Sequence, residues 1–380
     1  MRPATATAAA VTTLLGAGAA AVAAGRYASD LALKASSVRP LPGDPRLTVH
    51  ATGPDRITLT RSLASLRPGT YGMEGHGMEG HGLHAVLGPV LARAPHTADT
   101  VVRRLERIEL GAPGPGARVR LTPALHRGTP TSALGLDHED VEIPGELGPL
   151  PAWLVPAPRT TWVIALHGLG TTREHPLNVV PFYHRHRIPV LVPAYRGDEG
   201  APPSPDGLTH LGDSEWRDVD AALRYAVRRG ARKVVLHGWG PGASMALRAA
   251  AASGVRDRIG GLVLDSPVLD WEVTLRNLAS ARHVPGFLVP LAVRAAQGRT
   301  GPHDDLLRLA SAPGALRAPT LLFHGPEDAI APWEPSVELA ARRPDLISLQ
   351  TVRDAPHAAM WNPDPTRYEE SLRRFLVPLL

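Results

Sequence analysis

Short apolar runs recur along the second half of the chain, and each is followed by a loop and then a helical pattern. The runs lie at 162–166, 189–192, 234–236, 261–264 and 320–323. Runs that are apolar on both faces are typical of strands buried in a parallel sheet. One helical pattern follows Ser214, a candidate N-cap, and ends at Gly230. From about residue 160 to 380 the sequence therefore predicts a doubly wound, mostly parallel α/β sheet with ligands at its carboxyl edge.

The preceding region, from about residue 47 to 158, alternates short β-like runs with turns rich in Gly and Pro. Its clearest predicted strands lie at 47–50, 57–60 and 141–143. We interpret this region as a small β-rich addition and assign no chemistry to it.

A perfect repeat lies inside that region, where residues 72–76 recur as residues 77–81. Its two glutamates, together with His76, His81 and His84, contain donor types that bind metals. Its glycines, however, hold no ligand in a fixed geometry. A duplicated loop explains the repeat more simply, so we predict no metal site.

The first residues bear on location. Residues 3–25 carry no charge and consist mostly of Ala, Val, Leu, Gly and Thr. The segment is long enough to cross a bilayer as a helix, and its small residues at 22–24 offer a signal-peptidase site. A buried or surface Ala-rich helix is the alternative. We predict a membrane anchor over residues 1–26, or secretion if that segment is cleaved, with the side of the membrane left open.

The composition excludes several classes of function. The formal charge of +5 comes almost entirely from arginine, since Lys34 and Lys233 are the only lysines, and no basic cluster stands out. We therefore expect no nucleic-acid partner. The absence of cysteine excludes disulfides, thiolate metal sites and a cysteine nucleophile. Nothing in the sequence indicates a cofactor or an oligomeric state.

Three loops at predicted strand ends carry candidate chemistry. The first is His167-Gly168-Leu169-Gly170, where the backbone N–H groups of Gly168 and Leu169 can face an oxyanion. The second ends in Asp328, a candidate acid, and the third ends in His357, a candidate base. Their order along the chain is that of the acid and histidine in a hydrolase triad.

These motifs resemble the α/β-hydrolase superfamily, near its esterase and acyl-peptidase-like branches. The resemblance covers residues 153–380 and places a substrate-selecting cap at about 269–313. It implies hydrolysis of an ester, thioester or amide through an acyl-serine intermediate. The GxSxG elbow, however, is matched here by Gly238-Trp239-Gly240-Pro241-Gly242. Gly240 offers no nucleophile, and Pro241 has no N–H for the oxyanion.

Ser244 and Ser266 are the remaining candidate nucleophiles, and both are weak. Ser244 lies in the first turn of the following helix, and Ser266 ends a neighbouring predicted strand. The sequence therefore predicts loss of normal acyl-serine turnover. Two alternatives stay open: slow hydrolysis by the Asp328–His357 pair or a displaced serine, and a non-catalytic ligand-binding or scaffold protein at the membrane.

Overall fold

The computed structural model describes residues 21–34, 46–76, 82–300, 305–312 and 314–380. Within them, eight strands form one sheet in the order β14-β13-β12-β11-β9-β10-β8-β7. Their bounds are β7 Glu139–Pro144, β8 Pro149–Val155, β9 Thr161–Leu166, β10 Val190–Pro193, β11 Lys233–Trp239, β12 Ile259–Asp265, β13 Thr320–His324 and β14 Ile347–Thr351. Five of the seven neighbouring pairs are parallel, and the two that involve β8 are antiparallel. The predicted mostly parallel sheet is confirmed.

Helices cover both faces of this sheet, because its strands are apolar on both sides. On β9, Ile164 and Leu166 pack into one core layer, whereas Val163 and Ala165 pack into the other. The helices of this part are α4 Val180–Arg185, α5 Trp216–Arg228, α6 Pro241–Ala252, α7 Trp271–Ala281, α8 Val289–Thr300, α9 Leu306–Ser311, α10 Glu334–Arg342 and α11 Pro365–Leu376. Helices α7 to α9 occupy the region predicted as the cap.

The N-cap predicted for α5 is wrong. The helix begins one residue later than a Ser214 cap requires, with Glu215 at the N-cap and no side-chain capping bond. The Glu215 carboxylate instead accepts hydrogen bonds from the backbone N–H groups of His210 and Gly212. The Glu215 side chain therefore stabilises the loop that precedes the helix and does not cap the helix.

The β-rich region contains a closed six-stranded barrel. Its strands are β1 Leu47–Thr52, β2 Arg56–Thr60, β3 Tyr71–His76, β4 Gly82–Val90, β5 Thr100–Leu110 and β6 Arg118–Thr122, arranged β1-β2-β5-β4-β3-β6. Helix α2, Leu63–Leu66, lies between β2 and β3, and α3, Pro130–Leu134, follows the barrel. Pairing of β1 with β6 closes the sheet, so alternate side chains fill a separate apolar core.

The boundary expected at about residue 158 is wrong. Strands β7 and β8 form a hairpin, and β8 pairs antiparallel with β10 through residues 152–155. The hairpin therefore extends the large sheet and does not belong to the barrel. Its mixed polar and apolar pattern arises because it lies at the sheet edge, where one face is partly exposed.

The first copy of the repeat is also not a loop. Residues 72–76 lie within β3, which pairs with both β4 and β6. Gly72 and Gly75 are required by crowding, since a Cβ there would lie 2.0 Å from the Ala124 carbonyl oxygen and 2.3 Å from that of Arg118. Close packing against the neighbouring chain therefore explains these two glycines, which in the sequence look like those of a flexible segment. The second copy, residues 77–81, lies outside the described residues.

Most of the predicted leader likewise lies outside the described residues. Residues 21–33 form helix α1, which includes the last six residues of the segment predicted as an anchor, 1–26. Its Ala28, Ala32 and Leu33 are buried in a cluster shared with α7 and α8. A Cβ at Gly25 would lie 2.7 Å from the Leu291 carbonyl oxygen, so α1 packs closely on α8. None of the helices in the described part of the chain combines the length and apolarity needed to span a membrane.

The barrel depends on one buried arginine. The Arg103 guanidinium donates to the carbonyl oxygens of Ser65, Arg67, Gly69 and Gly88 at 2.7–3.1 Å. Replacement by Met should leave these buried acceptors without donors and lower the free energy of unfolding by about 3–5 kcal/mol.

Urea unfolding checks this prediction, with Arg104→Met as the matched control. Arg104 is the next residue of β5, and its side chain is half-exposed. Its replacement should change the free energy of unfolding by less than about 0.5 kcal/mol. Equal effects of the two substitutions would contradict the structural role of Arg103.

Candidate active site

A sharp turn joins β11 to α6 at Gly240, the residue to which the family resemblance assigns the nucleophile. Gly240 has φ +52° and ψ −120°, and its N–H donates to the Asp265 carbonyl oxygen at 2.8 Å. Side-chain-bearing residues adopt such a φ only with strain, and glycine removes that cost. The turn therefore keeps the form of a nucleophile elbow without a side chain at its tip.

The two flanking glycines hold strand and helix together. A Cβ at Gly238 would lie 2.3 Å from the Gly242 carbonyl oxygen, and one at Gly242 would lie 2.2 Å from that of Leu166. No side chain fits at either position without moving the backbone. The spacing of glycines in the motif is thus a packing requirement of the elbow itself.

His357 faces the tip of this turn. A Cβ built on Gly240 would lie 2.7 Å from His357 Nε2, which is closer than side-chain carbons approach other heavy atoms. The imidazole thus lies against the space where a side chain at position 240 would begin. His357 is buried, and its Nε2 has no hydrogen-bond partner among the described residues.

Asp328 orients this imidazole. Asp328 Oδ2 lies 2.8 Å from His357 Nδ1 and 3.1 Å from His324 Nε2, while Oδ1 accepts from the N–H groups of Ile330 and Ala331. Burial by itself raises the pKa of Asp328, but His357 and the hydrogen bonds outweigh it and hold that pKa below its ordinary value. Because an ionised carboxylate only accepts, His357 Nδ1 carries the proton. The lone pair of neutral His357 is then on Nε2 and faces Gly240.

Neither candidate serine contacts His357 Nε2. The Ser244 hydroxyl donates to the Val268 carbonyl oxygen and accepts from the Val268 N–H, both at 2.9 Å. The Ser266 hydroxyl donates to Asp265 at 3.1 Å and accepts from the Ala358 N–H at 3.0 Å. Both serines are buried. Each hydroxyl therefore fixes a loop beside the elbow, and Ser266 holds the residue that follows His357.

The expected oxyanion loop lies beside Pro241. A small cavity of about 30 Å³ is lined by Gly168, Leu169 and Pro241 together with residues of the loop that follows β10. This volume admits a group the size of one water. The His167 ring fixes the loop, since its Nε2 contacts Asp198 at 2.8 Å. The site thus contains the expected loop with its backbone N–H groups, whereas Pro241, the first residue of α6, has no N–H group to donate.

Two further histidines are buried next to the elbow. His237 lies between the hydroxyls of Tyr183 and Tyr368 at 2.8 and 3.0 Å, and its ring stacks on Trp239 with centroids 4.0 Å apart. His175 contacts the same tryptophan at 5.2 Å. Burial lowers the pKa of His237 well below its ordinary value and lowers that of His175 to about 3. Both rings are neutral at pH 7 and act as packing groups.

The barrel contacts the loop that carries His357. Asn362 donates to the carbonyl oxygens of Thr70 and Pro123 at 2.8 and 3.0 Å, and its own carbonyl oxygen accepts from the Thr70 N–H. Ala359 is buried within the barrel core. These contacts could not be found from sequence, because they join residues 239 and 292 positions apart.

Solved structures share this architecture. One crystal form of an esterase from Pyrococcus furiosus is 23% identical to this chain, with 67% of this chain and 94% of that one covered and a TM-score of 0.55. A second crystal form of that esterase gives 22% identity, coverage of 66% and 95%, and a TM-score of 0.53. The chain has the α/β-hydrolase fold. At this level of identity the likeness shows the fold alone.

The barrel has a separate match. Residues 48–122 match the family model described as Domain of unknown function (DUF8805), and these bounds agree with strands β1 to β6. No curated protein matches the chain. The α/β-hydrolase fold and the barrel are thus recognised by different comparisons.

The neutral His175 makes stability depend on pH. In the unfolded chain a histidine titrates near pH 6.5, whereas here its pKa is about 3. The folded state therefore binds fewer protons between these values, so stability is lost as the pH falls below about 6.5. From about pH 7.5 to about pH 4.5, the wild type should lose about 2.5 kcal/mol more than His175→Phe.

Urea unfolding at the two pH values measures this difference. His184→Phe, on the exposed side of α4, is the matched control and should keep the pH dependence of the wild type. If His175→Phe shows the same loss as the wild type, His175 does not titrate as this environment requires.

Proposed function

We propose that this chain descends from serine ester or amide hydrolases, has lost normal acyl-serine turnover, and acts as a ligand-binding protein. The observation that carries the proposal is the contact at the elbow. His357 Nε2 faces Gly240, has no hydrogen-bond partner, and lies 2.7 Å from the point where a side chain would start. No oxygen is available there for the base to deprotonate.

The oxyanion side supports the same proposal. In a serine hydrolase, the residue after the nucleophile donates its N–H to the developing oxyanion. Pro241 occupies that position and lines the small cavity next to Gly168. Loss of one oxyanion donor costs about a hundredfold or more in rate where the rest of the site is intact. Two separate features thus oppose the same reaction.

A second candidate function is slow hydrolysis by water. The Asp328–His357 pair is intact, and the Nε2 lone pair is free to accept a proton from a water molecule. Such a reaction would not pass through an acyl-enzyme. It would give a small rate that depends on the protonation state of His357.

The apolar leader bears on where the protein acts. Residues 1–26 remain a predicted membrane anchor or secretory signal, and a small-molecule ester, thioester or amide remains the proposed class of ligand. A binding or scaffold role at a membrane is compatible with both.

Fluorophosphonate labelling tests the proposal. The unaltered chain should not react. Gly240→Ser should label weakly, because His357 must move away from the new Cβ and the oxyanion site still lacks a donor. The double variant Gly240→Ser, Pro241→Thr restores both an Oγ and an N–H, and should label more strongly.

The matched control is Gly240→Ala with Pro241→Thr. It introduces the same Cβ and the same N–H without the hydroxyl, so it should stay unlabelled. Hydrolysis of p-nitrophenyl esters by the unaltered chain separates the two candidates, since water-mediated turnover should disappear in His357→Ala. Stoichiometric labelling of the unaltered chain at Ser244 or Ser266 would overturn the proposal.

A further inference from the structure

A second and much larger cavity, of about 890 Å³, lies between the barrel and the large sheet. One wall is the outer face of β3, β4 and β6, where alternation turns Glu74, His84 and Arg120 away from the barrel core. The other wall contains Trp153 of β8 and residues 170–174 and 198–200. This size is within the range of pockets that enclose small organic molecules.

The cavity extends toward the elbow. Gly170, Thr171 and Asp198 line both the large cavity and the small one beside Pro241. Among the described residues that line the large cavity, none comes from the predicted cap region. The barrel, and not the cap, therefore forms the outer wall of the space that leads to the oxyanion loop.

Most of the carboxylates in this cavity have hydrogen-bond partners within the protein. Four carboxylates line it. Glu74 accepts from Arg120 at 2.8 Å, Glu174 accepts a backbone N–H at 2.6 Å, and Asp198 contacts His167 at 2.8 Å. The fourth, Glu199, is exposed. Three of the four carboxylates thus already accept hydrogen bonds from within the protein.

The arginines in the cavity differ from the carboxylates, because two of them lack such partners among the described residues. Five arginines line the cavity. Within the described part of the chain, Arg173 and Arg46 make no hydrogen bond or ion pair. The Arg173 guanidinium instead lies over the Trp153 ring, 4.2 Å from its centroid. Burial lowers the pKa of Arg173, and the carboxylates of Asp198, Asp140, Glu199 and Glu174 oppose this shift without making a hydrogen bond or ion pair to it.

We infer that this cavity, named here the barrel–sheet pocket, binds a small organic carboxylate with an apolar body. The flat face of Arg173 is held by Trp153, which leaves its N–H groups free for a planar, bidentate acceptor. Arg46 adds positive charge from the barrel side. Trp153 and Pro151 supply the apolar surface. The inference rests on the proposed binding role and gives that role a ligand class.

Isothermal titration with three probes of similar body tests the inference. Phenylpropionate carries the carboxylate, phenylpropionamide replaces it with a neutral amide, and phenyl phosphate carries a different anion. The unaltered full-length chain should bind phenylpropionate at least about tenfold more tightly than the amide, because only the carboxylate forms charge-assisted bonds with Arg173.

Two variants locate the site. Arg173→Gln should weaken phenylpropionate binding by about tenfold or more and leave amide binding unchanged. Arg46→Gln, at an exposed position on the opposite wall, should weaken it by about threefold without affecting the fold. Arg228→Gln removes one exposed charge from α5, outside the pocket, and should bind as the unaltered chain does.

The inference is overturned if phenylpropionate fails to bind at millimolar concentration, if the amide binds equally well, or if Arg173→Gln and Arg228→Gln behave alike. Tighter binding of phenyl phosphate would overturn the assignment to carboxylates. These failures differ from failure of the proposed function. Turnover by the unaltered chain, with Arg173-dependent binding still present, would overturn only the proposed function. Absence of both turnover and phenylpropionate binding would overturn only the inference about the barrel–sheet pocket.

Discussion

The contact between His357 and the bare tip of the elbow determines what this site can do. Asp328 holds the proton of His357 on Nδ1, so the basic Nε2 faces Gly240. A side-chain carbon at position 240 would lie only 2.7 Å from this Nε2. The base and its acid are buried, oriented and paired. Gly240 itself carries no side-chain oxygen for this base. The proposed loss of acyl-serine turnover therefore rests on one missing side chain and not on a collapsed fold.

The surrounding structure keeps that arrangement rigid. Ser266 has φ +51°, an unfavourable backbone conformation, and uses its hydroxyl to hold the Ala358 N–H beside His357. Asn362 connects the same loop to the barrel through two carbonyl oxygens. Strain and buried polar contacts of this kind are stabilised only where the neighbouring structure supports them. Their presence around the elbow supports the proposal that this site still holds a ligand.

Much of the sheet domain could be predicted because its information is local. Runs that are apolar on both faces mark buried strands, and the loops of Gly168 and Asp328 follow such runs directly, whereas the loop of His357 follows the edge strand β14. The structure brings Asp328 and His357 into contact, as their order along the chain led us to expect. Their catalytic role stays a prediction.

The features that could not be predicted depend on distant pairings. Closure of the barrel requires β1 to meet β6, the β7–β8 hairpin joins the large sheet only through β10, and Arg103 finds its acceptors 15–38 residues away. The second hydrogen bond to Asp328, from His324, was missed for a different reason. His324 ends β13, and nothing in the sequence shows that its ring turns toward a residue four positions later in the following loop.

Intact-mass spectrometry after brief exposure of the unaltered chain to p-nitrophenyl acetate tests the central claim most directly. The measurement detects an acyl-enzyme whatever residue carries it, and an acid quench within the first turnovers retains it where deacylation is slower than acylation. If Gly240 leaves His357 without a nucleophile, the mass should not change while a serine esterase treated in parallel gains one acetyl group. Stoichiometric acetylation that disappears in His357→Ala would contradict the account, because it would show that another oxygen reaches the base.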